Sequence, residues 1–231
     1  MHVKAREAVV LGAQIDTTRL FALAEADDDE GLTAALAGAP EGYRLRNPAG
    51  ESLFQFCAYH GRAKCVTALR QRDALGFHEA ALAGDAVLLD VLLDAAPWAI
   101  DMLSPDGWTA LHLAAFFGRD DVVLRLLERG ADASVWSRAF VINLPIHAAC
   151  AGRRLGKETF AMLVSATGDP DVTPKHGYTA LMEAAMVGFV PAVEVLLVAG
   201  ADTSLRHPEK NMTAAEFARE NGHTELAERL R

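Results

Sequence analysis

The chain has 231 residues, 51% hydrophobic and 23% charged, enough apolar material for a substantial core. Acidic residues outnumber basic ones 31 to 22 for a net charge of −9, which argues against nucleic acid, because phosphate binding draws on clustered Lys and Arg. The three cysteines, Cys57, Cys65 and Cys150, are too few and odd in number for a disulfide framework, and no apolar run is long enough to span a membrane.

Residues 1–16 read as an N-terminal extension. Lys4 and Arg6 precede a short apolar run, Ala8 to Ala13. That run is shorter than the ~7–15 residues of a secretory h-region, so a cytoplasmic protein is expected. The excess of Arg over Lys, 17 to 5, fits a GC-rich bacterial genome. In residues 17–37, Leu20, Phe21 and Ala24 share one helix face and Leu32, Ala35 and Leu36 another, and the polar substitutions around them suit a terminal cap. Between them, Asp27-Asp28-Asp29-Glu30 could suggest a cation site. Four adjacent carboxylates at a turn cannot all converge, however, and they suit the positive end of the second helix.

Ser52 can cap the next helix, Phe54 and Cys57-Ala58 line its apolar face, and Gly61 ends it. Phe54 lies 33 residues after Phe21, but Phe77, the next equivalent position, comes only 23 after Phe54. The shortfall predicts that a helix at 66–72 passes almost directly into one at 74–83. The following helix is regular at Leu88, Leu89, Leu92 and Leu93, and Pro97 cannot continue it.

Residues 107–130 write the pattern most completely. Thr109 can N-cap a helix striped by Leu111, Ala114 and Ala115 and stopped by Gly118. Asp120 and Asp121 open a second helix with Val122, Val123, Leu126 and Leu127 on its buried face, and Gly130 ends it. From Phe77 the anchors recur at Leu111, Ile146, Leu181 and Ala215, spaced 34, 35, 35 and 34. In the pair at 144–166, Pro145 takes the favoured first helical position. Phe160 and Leu163 show its second helix displaced by about two residues, so the turn 151–157, with basic Arg153, Arg154 and Lys157, should be widened. Gly177 to Ala185 returns to pattern, and Thr213 to Leu230 has the polar faces of a C-terminal cap.

Helices this short are not stable alone and must stack. The run Thr109-Ala110-Leu111-His112-Leu113-Ala114 resembles the T-P-L-H-x-A core of the ankyrin repeat, and the likeness extends over roughly residues 17–231. The resemblance implies an all-α ankyrin-repeat solenoid of about six stacked helix-turn-helix units including caps, forming a single domain. It also implies hairpin fingers between units, with one missing near 70–77. It further implies a monomer that binds another protein through its concave face and fingers, without catalysis, cofactor or metal, and with no role for nucleic acid or membrane. Two alternatives stay open, a dedicated regulatory or inhibitory subunit of one enzyme and a small ligand bound in the groove.

His78, His112 and His147 take the same place in three successive units. Helices pack roughly 8–10 Å apart, too far for three such rings to reach ~2 Å from one metal ion. The resemblance implies instead that this His ties the helix start to the turn. P-loop, G-x-S-x-G and H-E-x-x-H patterns are absent. Cys65 and Cys150, the nearest approach to nucleophiles, fall on faces expected to be buried, where burial raises and hides a thiol. The basic trio Arg153, Arg154 and Lys157 suits a solvated loop better than a grip on an acidic partner.

In ankyrin repeats the positions just before the helix-ending Gly face the groove, which here selects Tyr59 and His60, Leu82 and Ala83, Phe116 and Phe117, and Met186 with Val187. Trp108 and Tyr178, each between a Gly and the capping Thr, extend that surface. The finger at 134–143 is about two residues longer than usual and carries Trp136, Arg138 and Phe140, types enriched in binding hot spots. Adjacent Phe116 and Phe117 point about 100° apart on a helix, so at least one should leave the stripe of Leu111, Ala114 and Ala115. These aromatics could instead pack on neighbouring repeats.

Overall fold

A computed structural model describes residues 16–37, 45–72 and 75–231. The N-terminal extension expected at 1–16 lies outside the described residues except for Asp16. Among the described residues the regular elements are helical, with an isolated bridge between Arg46 and Ser52. The chain divides into two compact units, Met1–Gly76 and Phe77–Arg231, so the boundary falls where the sequence period is ten residues short.

In the first unit α1 (Thr17–Glu25), α2 (Asp29–Ala35), α3 (Leu53–Tyr59) and α4 (Ala63–Arg72) form two pairs, α1 packing on α3 and α2 on α4. Asp16 caps α1 through Arg19 N, and Asp28 caps α2 through Gly31 N. Ser52 and Gln55 close a capping box on α3, satisfying two otherwise free backbone donors. Leu20, Ala24, Leu32, Leu36, Phe54, Cys57, Cys65 and Leu69 are buried. The acidic run is used for chain geometry, since Asp27 sits in a left-handed turn (φ 53°) and its Oδ1 accepts from Cys65 N at 3.1 Å. The helix expected to begin at 74 begins at Phe77, a correction of three residues. Gly76 is a poor helix former, and Leu75 is buried without being helical. Residues 73 and 74 lie outside the described residues.

The second unit holds five pairs: α5 (Phe77–Ala83) and α6 (Ala86–Ala95), α7 (Ala110–Phe117) and α8 (Asp120–Glu128), α9 (Pro145–Gly152) and α10 (Lys157–Thr167), α11 (Ala180–Met186) and α12 (Val190–Val198), and α13 (Ala214–Glu220) and α14 (Thr224–Arg229). The inner helices α5, α7, α9, α11 and α13 pack in series, as do α6, α8, α10 and α12. Leu111, Ile146 and Leu181 are buried at the anchor positions, and the small pairs Ala114-Ala115 and Ala184-Ala185 lie between helices. Close approach is most demanding at Gly152, where an added Cβ would stand 2.0 Å from the Phe116 carbonyl oxygen. The α9–α10 turn spans four residues against two between α7 and α8, the widening that the displaced Phe160 and Leu163 require.

Each recurring histidine spans to a backbone carbonyl further along the chain. His78 Nε2 lies 2.8 Å from Met102 O, His112 Nε2 3.0 Å from Asn143 O, and His147 Nε2 3.2 Å from Val172 O. A carbonyl only accepts, so Nε2 carries the proton, and in His112 the Nδ1 then accepts from the Thr109 hydroxyl at 2.7 Å. Burial lowers the pKa of both His112 and His147 to about 4, partly offset by these carbonyl bonds. Both rings are therefore neutral struts. The finger bases are linked as well, Asp132 N donating to Asp101 Oδ1 at 3.0 Å and Asp202 N to Asp171 Oδ1 at 3.0 Å.

Candidate functional site

The finger at 134–143 is built from its own hydrogen bonds. Ser137 N donates to Asn143 O at 3.0 Å, Ser137 Oγ donates to Val141 O at 2.9 Å, and Asn143 N donates back to Ser137 Oγ at 3.0 Å. Arg138 N donates to Gly107 O at 2.8 Å, which lays this finger on the base of the one before it. Gly107 has φ 94°, and an added Cβ would meet Ala139 N at 2.5 Å, so the contact needs glycine twice over. Ser137 and Asn143 are buried, so the side chains that tie the finger together are turned inward. Its apolar groups are turned out: Phe140 is fully exposed, and Trp136, Val141 and Ile142 are each about two-fifths exposed. Trp136, Arg138 and Phe140 thus stand at one rim, and the sequence reading missed Val141 and Ile142 beside them.

Phe116, at 39% exposed, is the member of the pair that faces solvent. Phe117 is half-buried, edge-to-face with Phe116 at 5.1 Å and covered by the Arg154 guanidinium at 6.0 Å. Arg153, in a left-handed conformation (φ 55°), donates to Val187 O at 3.1 Å, and Lys157 pairs with Glu194 at 2.6 Å. The basic trio therefore ties elements of this chain together. Trp108 is half-buried with its ring 5.7 Å from His112. Tyr59 and His60 belong to the first unit, Tyr59 half-buried and His60 exposed with its ring 4.3 Å from Phe56. The other candidates belong to the second.

Tyr178 and Met186 come together in a pocket of about 320 Å³ between α9 and α11, lined by Ala151, His176, Tyr178, Glu183, Met186 and Val187. Tyr178 is braced by His207 at 4.2 Å and Phe217 at 5.4 Å, with Lys210 Nζ 5.6 Å above its ring. Glu183 is the unexpected wall. Its Oε2 is shut off from solvent with no hydrogen-bond partner among the described residues, and burial pushes its pKa up to about 8. Both ring nitrogens of His176 are likewise buried and unpartnered among the described residues, and burial, followed by His207, lowers that ring's pKa. The sequence did carry a signal for Glu183. Leu113 and Ala148 hold the same place in α7 and α9, and both are buried, so a carboxyl there breaks the apolar pattern.

No helix among the described residues is long and apolar enough to cross a membrane. A family model described as ankyrin repeats (3 copies) matches residues 20–136, and one described as ankyrin repeat matches residues 176–208. Among curated proteins the chain is similar to the ankyrin repeat protein nuc-2 of Neurospora crassa, 29% identical over 210 residues that cover 76% of this chain and 19% of that protein. It is also similar to ankyrin repeat, SAM and basic leucine zipper domain-containing protein 1 of Dasypus novemcinctus, 32% identical over 126 residues, 54% of this chain and 26% of that protein. A shorter likeness is to the NAD-capped RNA hydrolase NUDT12 of Homo sapiens, 37% identical over 71 residues, 31% of this chain and 15% of that protein. The chain spans well under a third of the length of each of these relatives.

Proposed function

Because the chain belongs to the ankyrin-repeat family, whose repeats generally mediate protein–protein interaction, we propose that it is a non-catalytic scaffold holding a partner protein along the inner helices and fingers of residues 107–188. One observation carries this reading. The 134–143 finger is tied down by buried polar groups while Phe140 stands in water and Trp136, Val141 and Ile142 are each about two-fifths exposed. Apolar side chains on a rigid support lose little conformational freedom on binding, and burying one at a hot spot contributes ~2 kcal/mol or more. Exposed Phe116 and Arg138 extend the rim, while Trp108, Phe117, Tyr178 and Met186 form half-buried walls. His60 and Tyr59 offer a separate contact on the first unit. We place the protein in the cytoplasm as a monomer, in keeping with three unpaired, buried cysteines, and without nucleic acid or membrane partners, in keeping with a charge of −9.

The test is affinity for a captured partner. Trp136→Ala and Phe140→Ala should each weaken binding about tenfold or more with the melting temperature unchanged. Unchanged affinity in both variants would remove the finger from the interface.

A further inference from the structure

Folding gives Glu183 no return for its burial. Its Oε2 accepts nothing among the described residues, and the ionisable groups that face it, Cys150 on α9 and His176, supply no resident positive charge in their neutral forms. Lys210, the nearby cation, is held over the Tyr178 and Phe217 rings at 5.6 and 5.5 Å. An enclosed carboxyl oxygen without a partner is destabilising, yet half-buried Glu183 lines an open pocket next to half-buried His176, whose ring nitrogens are also without a partner among the described residues. The remaining walls, Ala151, Met186, Val187 and the ring of Tyr178, are apolar.

We propose that this pocket receives a basic side chain, lysine or arginine, of the bound partner, its aliphatic stem along Met186 and Val187 and its N–H groups donated to the Glu183 carboxylate. The match is one of chemistry. A basic side chain brings a positive charge that favours the ionised carboxylate, whose proton passes to water as the cation enters, and apolar methylenes that match the apolar walls. A wholly apolar residue would leave the carboxyl unpaired. The Tyr178 ring adds a face on which a cation is attracted. Volume agrees, since about 320 Å³ is at the small end of ligand-sized pockets.

The proposal rests on the reading of the chain as a protein-binding array, and one selection separates the two. Peptides are selected from a displayed random library on the intact chain near neutral pH, and acetyl-arginine amide is titrated separately while the amide resonances of α11 are followed. The expected peptides carry a Lys or Arg whose replacement by norleucine or citrulline abolishes binding. Glu183→Gln should weaken them about thirtyfold or more at an undiminished melting temperature. Met186→Lys, which puts a competing ammonium on the pocket wall, should block the same peptides. Peptides that lack a basic residue, or that bind Glu183→Gln as tightly, overturn the pocket and leave the protein-binding reading standing. No selected peptide, together with α11 shifts from acetyl-arginine amide that vanish in Glu183→Gln, would overturn the protein partner in favour of a small cation. Neither peptide nor shift overturns both.

Discussion

At the scale of single residues, burial decides the chemistry of the ionisable groups. His112 and His147 are neutral struts with pKa values of about 4 against an ordinary 6.5. Between those values the unfolded chain takes up a proton that the folded rings refuse, so this stability is complete above pH 6.5 and is lost as pH falls toward 4. Glu183, raised from 4.5 to about 8, works in the opposite sense. Its folded form holds a proton that the unfolded chain releases, so its contribution is complete below pH 4.5 and is lost as pH rises through 8. Urea midpoints measured against pH should therefore fall on both sides of a slightly acidic optimum. The acid limb should amount to ~2 kcal/mol or more for the two histidines together. Glu183→Gln should flatten the alkaline limb and steepen the acid limb between pH 4.5 and 6.5, where the two effects oppose one another; an unchanged alkaline limb would mean that the carboxyl is solvated. The thiols follow the same rule. Burial, with Cys65 close by, pushes Cys57 up to about 12, and burial, with Asp27 close by, pushes Cys65 to about 11. Cys150 is raised well above its ordinary value by burial and by Glu183. A thiol reagent at neutral pH should label none of the three until denaturant is added, and fast native labelling would contradict this picture.

At the scale of elements, helices and fingers divide the work. Phe160 of α10 is fully buried, 6.0 Å from Phe189, whereas Phe140 at the finger tip touches water on all sides. Phe160→Ala should cost ~3–5 kcal/mol of stability, the usual range for a core aromatic. Phe140→Ala should cost less than ~0.5 kcal/mol, because it removes no internal contact. Equal losses in denaturant unfolding would mean that the finger folds back on the protein in solution. The same division explains the basic turn. Arg153, Arg154 and Lys157 look like an interaction patch in the sequence, but the widened α9–α10 turn brings them onto Val187, Phe117 and Glu194, where they join successive pairs.

At the scale of the molecule, the ten residues missing from the repeat period coincide with the boundary between two compact units at Gly76. Finger bases in the second unit are linked by Asp132 to Asp101 and Asp202 to Asp171, and the finger expected to be missing near 70–77 would remove one such link. We expect opening to begin there. Hydrogen exchange should be faster over 63–83 than over 110–127, and a fragment of residues 77–231 should unfold cooperatively on its own. Equal protection of the two stretches, or an unfolded fragment, would show that one cooperative array runs through the gap.

The all-α repeat architecture was legible in the sequence because it is local and periodic. A capping Thr or Ser, an Ala pair and a glycine at each helix end recur about every 34 residues, and each short helix can bury its stripe only against the next. The widened α9–α10 turn was legible for the same reason, as a departure from a count. The three-residue error at Phe77 came where the count is silent, since spacing measures how much chain is missing but not where the helix resumes. Exposure was beyond it. Adjacent Phe116 and Phe117 are equivalent in the sequence, and only the tertiary structure, with Arg154 over the Phe117 ring, decides that Phe116 faces water and Phe117 is covered. The Glu183 pocket lay further out of reach, because it joins α9, the 176–178 loop and α11. Whether a carboxyl is stranded depends on partners brought together across repeats, and no spacing along the chain records that.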